Sequence, residues 1–583
     1  MKMVLALAAV LLATIGGAAW ADDDVEMLWE NLITETGVYQ TVYATALDEA
    51  DNVYLGGMYD DPLSPDTWFT RYDAAGVAQY DYHDATFGPA CGVKVDADGN
   101  LYGAANVEEF NAGLRIKIFK LSPTGQVIWS QTMTNTTGVN RTLECEDVAL
   151  DSAGNFYIAR QMNNGVDLGN QFMLVKYDAD GVRQWWRNYG ETGHDCAFAQ
   201  WIELDPNEDP VLFGFTTDTA MQWDFLTVKY YADGTLAWHD LYKYSEETDD
   251  YPGGLAVDGE GNVYVGGDIE WGIVLVKYDA DGVRQWAVTE EGLSPTEYDW
   301  VYAMAADPEG NVLVGERSVL TWPTGKVGYN SSGYVYKFDP DGNKLWEVYH
   351  QGAVIGNKFG EVDDLQVDAA GNVYAAYMVS GSILHNTIEL IKYDPDGNQQ
   401  WAIDYPNALL WVVDDVFVEL NARGRIALTI ALYDLNLDYT SVYARLFAQP
   451  EQCEIDGQFY AAGATNPANV CQVCAPTISA TAWSDNDGAS CNDGTFCNGA
   501  DTCAGGECAV HPGDPCDPNT QTCNEETDTC DALGDDDDDS ADDDAADDDA
   551  TDDDATDDDA TDDDDDSTVL PDDDDDDDGC GRG

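Results

Sequence analysis

LVKYDADGVRQW stands twice in the chain, at Leu174 to Trp185 and at Leu275 to Trp286, and its Asp-x-Asp-Gly core could furnish the carboxylates of a calcium loop. A helix-flanked calcium loop needs Gly at its sixth position and Glu at its twelfth. Counted from Asp178 those positions hold Arg183 and Tyr189, and from Asp279 they hold Arg284 and Glu290. The flanks are β-rich, so the stretch reads as a tight turn in which Asp bonds its own backbone and Gly takes positive φ. No metal site is expected there. His194-Asp195-Cys196 is the one local cluster that a cysteine nucleophile could use. With six His in all and no G-x-S-x-G, H-E-x-x-H or phosphate-binding Gly loop, no catalytic residue is assigned. Cys91, Cys145 and Cys196 are better explained by a disulfide between two of them. Trp271, Trp300, Trp322 and Trp411 lie in segments that also carry acids, where aromatic rings beside carboxylates suit stacking on sugars or holding cationic groups. Packing in the protein interior is the competing use for these four.

The elements that must position these residues are repeats. The dodecamer has relatives such as FLTVKYYADGTLAW from Phe225, YVYKFDPDGNKLW from Tyr334 and IKIFKLSPTGQVIW from Ile116, seven copies in all. A second motif alternates with it in eight copies, among them VDADGNLYGAA from Val95, VDGEGNVYVGG from Val257 and LNARGRIALTI from Leu420. The period is about 50 residues, that of a four-stranded propeller blade. Each motif is a hairpin; in blade five, strand a ends at Val257, and strands b, c and d are Asn262 to Gly267, Ile273 to Tyr278 and Val283 to Val288. Tyr80, Trp129, Trp185, Trp238, Trp286, Trp346 and Trp401 close successive units as blade-docking residues, and Trp29 falls in step before them. The eighth unit ends in SVYARLF without a fourth strand. The expected fold is therefore all-β, an eight-bladed β-propeller in which the N-terminal strand MLWENLI completes the last blade.

Over roughly residues 27 to 448 the pattern D-x-x-G-N-V-Y-V-x-G followed by K-Y-D-x-x-G-x-x-x-W resembles the bacterial SBBP β-propeller repeats. The K-Y-D-A-D-G-x-x-x-W segment is also similar to the tryptophan docking motif of eight-bladed quinoproteins. The resemblance implies a fold and leaves function open, because propellers host unrelated activities.

Outside the repeats, composition sets compartment and partners. MKMVLALAAVLLATIGGAAWA reads as a secretory signal, residues 1–21, cleaved after Ala21. The propeller is assigned to 22–450. Residues 451–533 hold ten of the 14 Cys (Cys453, Cys471, Cys474, Cys491, Cys497, Cys503, Cys508, Cys516, Cys523 and Cys530) and read as a disulfide-stapled module in place of a zinc site. This module resembles Cys-rich modules of myxobacterial surface proteins. Residues 534–583 are a disordered polyaspartate stalk, able at most to bind divalent cations weakly and without fixed geometry. Its Gly579-Cys580-Gly581 is similar to the start of a myxobacterial-type sorting signal, without the apolar helix and Arg cluster that would follow. The formal charge of −87, from 112 acidic against 25 basic residues, excludes nucleic acid and anionic membranes as partners. No later segment approaches the length of a membrane span.

These readings converge on a secreted or surface-displayed, monomeric binding or adhesion module without a cofactor. It would take an extracellular glycan or protein on the propeller face that carries the long b–c and d–a loops. The alternative is an enzyme on the same face, quinoprotein-like or polysaccharide-acting.

Overall fold

The computed structural model describes residues 25–532, except 35–38, 61–65, 85–87, 110–112, 134–142, 164–169, 191–195, 218–221, 246–247, 271, 292–296, 322–326, 351–358, 383–384, 407–410, 435–438, 449–451 and short stretches between 456 and 528. The signal sequence, His194, Asp195, the polyaspartate stalk and Cys580 lie outside the described residues.

Alternating short β-rich runs and Asp-Gly turns build eight four-stranded antiparallel sheets among the described residues. Seven are consecutive in the chain. Their first strands are Tyr39–Leu47, Ala90–Val95, Leu143–Leu150, Cys196–Leu204, Tyr251–Val257, Glu297–Ala306 and Phe359–Val367. The eighth sheet joins Trp411–Leu420, Arg425–Asp434 and Tyr439–Ala448 to the N-terminal strand Glu26–Thr34. There Glu30 pairs with Arg445 and Ile33 with Val442. First strands of successive sheets touch one another, and that of the eighth touches that of the first, so the sheets are the blades of a closed ring with their first strands innermost. Blade 5 contains Tyr251–Val257, Val263–Ile269, Gly272–Tyr278 and Arg284–Glu291, within about three residues of the bounds read from the turns.

Position in the blade explains the patterning. The second and third strands of blade 5 are buried at every residue, because both faces of a blade press on neighbours, and they read as continuous apolar runs. Outermost strands alternate, as in Lys344–His350 with its exposed and half-buried positions in turn. Among the described residues the core divides into eight clusters, each shared by two adjacent blades. The cluster between blades 8 and 1 holds Trp29 with Val42, Leu55, Trp68, Val442 and Leu446. The same closure is tied by an Arg445–Glu30 ion pair at 2.7 Å and by Asn421 donating to the Asp48 carbonyl at 2.9 Å.

The division into two compact units falls between Ala461 and Ala462. The hairpin Gln452–Ile455 with Gln458–Ala461, which includes Cys453, falls in the first unit, past the boundary read after residue 450. The second unit has a three-stranded sheet, Thr465–Asn466, Asn469–Ala475 and Ser479–Asp485, and two hairpins, Thr502–Ala504 with Glu507–Val510 and Gln521–Asn524 with Thr529–Ala532. Disulfides join Cys471 to Cys503, Cys491 to Cys508, Cys497 to Cys523 and Cys516 to Cys530. Cys453 and Cys474 are disulfide-bonded as well. Such sulfurs offer no thiolate to zinc.

Deleting residues 22–34 exposes the edge of Tyr439–Ala448 and removes Trp29. The thermal midpoint of the entire propeller should fall, and Trp29→Ala alone should cost about 3–5 kcal/mol in denaturant unfolding. An unchanged midpoint in the truncated protein would contradict closure by this strand.

Candidate binding face and channel

The repeated turns consume their own polar groups. Asp178 accepts the amides of Asp180 at 3.1 Å and Val182 at 2.8 Å on one carboxylate oxygen, and the Gln184 side-chain amide at 2.6 Å on the other. Asp279 repeats this with Asp281, Val283 and Gln285. Gly181 has φ 77°, and a Cβ there would lie 2.7 Å from the Trp129 ring. The carboxylates are spent on turn geometry, and the glycine makes room for the neighbouring blade's indole.

That contact recurs around the ring. Trp29, Tyr80, Trp129, Trp185, Trp238, Trp286 and Trp346 each lie over the turn glycine of the following blade. Five of these indoles also donate to a carbonyl in the same turn: Trp129 to Ala179, Trp185 to Ala232, Trp238 to Ala280, Trp286 to Pro340 and Trp346 to Pro395, at 2.9–3.2 Å. Trp401 faces a blade whose third and fourth strands are not joined by a hairpin. It is buried in a cluster with Val25, Tyr374 and Phe447.

Third-strand lysines share the same acceptors. Lys176, Lys229, Lys277 and Lys337 donate to the Ala232, Ala280, Pro340 and Pro395 carbonyls. Lys229 also pairs with Asp205 at 2.8 Å and Lys337 with Asp307 at 2.7 Å, all four side chains buried. Burial by itself pushes the Asp205 carboxyl up; the Lys229 hydrogen bond and turn amides outweigh it and hold the group below the usual carboxylate range.

The innermost strands present a sheet edge to the channel, and acids of the preceding blade cap its free amides. Asp147 accepts the Ile202 amide at 3.1 Å, Asp268 that of Val301 at 2.8 Å and Asp364 that of Val418 at 2.7 Å. Crowding raises the channel carboxyls. Glu203 is pushed up to about 8 by burial and then by the Asp147 charge, with Lys94 acting against both. Glu419 is pushed up to about 7 by burial, with Lys94 opposing and Asp364 adding to the rise. Cys91 and Cys145, on the innermost strands of blades 2 and 3, form a disulfide; the side chain of Cys196 lies outside the described residues.

Hairpin direction puts the repeated turns at one end of the ring and the b–c and d–a connections at the other. Of the four tryptophans assigned to that second end, Trp271 and Trp322 lie outside the described residues, as does the Trp411 side chain at the start of blade 8. Trp300 is half-buried on the first strand of blade 6, with the Arg317 guanidinium 5.4 Å above its ring and Arg317 paired to Glu361. The structure does not bring these four together as a described cluster. It assembles a different aromatic group at the same end: Phe198, Phe215, Trp223 and Tyr251, ring on ring, with successive centroids 4.6, 4.2 and 4.9 Å apart. Tyr244 and Tyr251 are 43% and 44% exposed. Both belong to DLYKYSEETDDYPGG, a segment notable in the sequence for mixing aromatics with acids, but nothing in its spacing shows that Trp223 from another connection would meet it.

A model of the SBBP β-propeller repeat matches residues 245–269, the entry and first hairpin of blade 5. Over these residues the chain is similar to that repeat, and the eight sheets are arranged as a β-propeller. The propeller resembles the WD40 domain of SCAP from fission yeast, at 11% identity and TM-score 0.40 over 72% of this chain and 98% of that one. It also resembles Chaetomium thermophilum Sqt1 bound to the N-terminus of the ribosomal protein L10, at 11% and 0.44 over 71% and 100%. A third is the polysaccharide lyase Uly1, at 8% and 0.38 over 69% and 89%. Likeness at this level concerns the fold alone. No curated protein matches the chain.

Two outcomes follow for the propeller. Asp178→Ala should cost about 0.5–2 kcal/mol through lost turn bonds and Trp185→Ala about 3 kcal/mol, while millimolar calcium should shift the melting midpoint of the Asp178→Ala, Asp279→Ala double variant as little as that of the wild type. A calcium-dependent rise confined to the wild type would restore the metal reading. The raised channel carboxyls act on stability with a definite sign. Their folded pKa exceeds the unfolded Glu value of about 4.3, so their contribution is complete below that pH and is lost as pH rises towards 8. Melts across pH 4.5–8 should show a smaller decline for Glu203→Gln than for the wild type.

Proposed function

We propose that this protein is an exported binding module whose β-propeller recognises an extracellular glycan or protein on its variable-loop face. The observation that carries this reading is the asymmetry between the two ends of the ring. At the repetitive end, turn carboxylates, glycines and carbonyls are occupied by their own hairpin or by the next blade. At the other end, tyrosines stand exposed beside carboxylates that have not all found donors. Rigid scaffolds concentrate recognition on irregular connections of this kind. Export fits the disulfides in both compact units, which form in oxidising compartments. Among the described residues no helix is long and apolar enough to cross a membrane.

The test is a glycan and protein array probed with the full chain. A captured ligand should be lost or weakened by Trp300→Ala on the variable face and retained by Gln285→Ala, whose side chain serves only its own turn at the opposite end. The reverse pattern would place recognition on the wrong face.

A further inference from the structure

The aromatic column in blades 4 and 5 ends in a tyrosine fixed on two sides. Phe198 stacks on Phe215 at an interplanar angle of 15°, and Phe215 on Trp223 at 10°. Trp223 meets Tyr251 across the blade boundary at 59°. Asp249 ties the last two members together: one carboxylate oxygen accepts the Trp223 amide at 3.0 Å, the other the Tyr251 hydroxyl at 3.3 Å. Tyr251 is thus an exposed ring with little freedom left to lose on binding.

Acidic side chains surround it. Asp268 is directly opposite Tyr251 in the blade 5 ladder, so both side chains project from the same face of the sheet. Asp250 accepts the Tyr244 amide at 2.7 Å through one oxygen. Its other oxygen has no hydrogen-bond partner although the residue is fully buried. Asp224 lies close enough to raise the Asp250 carboxyl further after burial has done so, to about 7. Lys243, 3.8 Å from Asp224, is the cation that opposes this rise. A carboxyl raised to about 7 is part protonated near neutral pH, and a positive charge brought close to it favours its ionised form.

We propose that this corner is a cation-recognition site, where a guanidinium or ammonium group on a basic segment of a partner protein seats on the Tyr251 ring between Asp249 and Asp268. It deepens and rests on the reading of the variable face as the binding face. The aromatic ring supplies the cation–π surface, Asp249 an acceptor and charge, and Asp268, held well above the usual carboxylate range by burial, an acceptor that a seated cation draws towards ionisation. The net charge of −87 brings basic segments to the molecule, and this corner gives them a fixed seat. A neutral sugar could stack on the same ring but would leave the carboxylates without a counter-charge.

Calorimetric titration of the full chain in 0.15 M salt with a peptide alternating glycine and arginine tests the site. The same peptide with citrulline for arginine, and a neutral oligosaccharide, serve as controls. The acidic tail is present in every variant, so differences between variants report on the propeller. Tyr251→Ala should weaken arginine-peptide binding about fivefold to tenfold, Asp268→Asn should weaken it as well, and Tyr251→Phe should retain it. The citrulline peptide should bind more weakly than the arginine peptide in the wild type. Equal affinity for wild type and Tyr251→Ala, or Tyr251-dependent binding of the citrulline peptide or the oligosaccharide in place of the arginine peptide, overturns the proposal. An array ligand still sensitive to Trp300→Ala would in that event leave the wider reading intact.

Discussion

At half of the junctions one turn carbonyl joins a blade to the next. In four junctions the turn carbonyl of the following blade accepts both an indole N–H from the fourth strand and a lysine ammonium from the third strand of the blade before it, as Ala280 does for Trp238 and Lys229. That lysine is also paired to the aspartate of its own first turn, so a single cation links both hairpins of one blade to the next. The cost of burying the charge is offset only because every partner is present at once. The glycine beneath the indole, the asparagine that closes the aspartate turn and the tyrosine beside the lysine all follow from this joint. It explains why the two motifs recur together and why their spacing varies only in the connections at the opposite end.

A closed ring of sheets leaves two kinds of edge to cover. The gap between the last blade and the first is covered by the N-terminal strand, which brings Trp29 to lie over Gly76 as its counterparts do at other junctions. The inner edges are covered by acids reaching from one blade to the amides of the next. Much of the acidity within the propeller is therefore structural. The raised channel carboxyls are a consequence of using anions for this work in a confined space.

Once those demands are met, the molecule's two ends differ in chemical readiness. The end with repeated turns is stitched by bonds internal to the ring. At the opposite end the column Phe198, Phe215, Trp223 and Tyr251 packs rings from four strands in two blades and ends in the exposed ring of Tyr251, with carboxylates around it. The binding function proposed above would draw on that ring.

Fold was legible in the sequence because a propeller's architecture is written locally. Each Asp-x-x-Gly turn specifies its own hairpin, the period counts the strands, and the place of Trp29 in the tryptophan series identifies the strand that completes blade 8. The turn reading of the dodecamer likewise came from position counts, since the partners of an Asp turn are close in sequence. The proposed site could be read from the sequence only as a face. Trp271, Trp300, Trp322 and Trp411 were singled out by composition, but composition does not say which rings meet, and Trp300 lies under Arg317. Trp223 and Tyr251 are separated by a whole hairpin connection and stand on different blades, so their contact and the carboxylates around it arise from how neighbouring sheets are turned against each other. The channel acids are of the same kind: Asp147 and Ile202 become partners only because consecutive inner strands lie edge to edge around a common axis, a long-range geometry that no local spacing encodes.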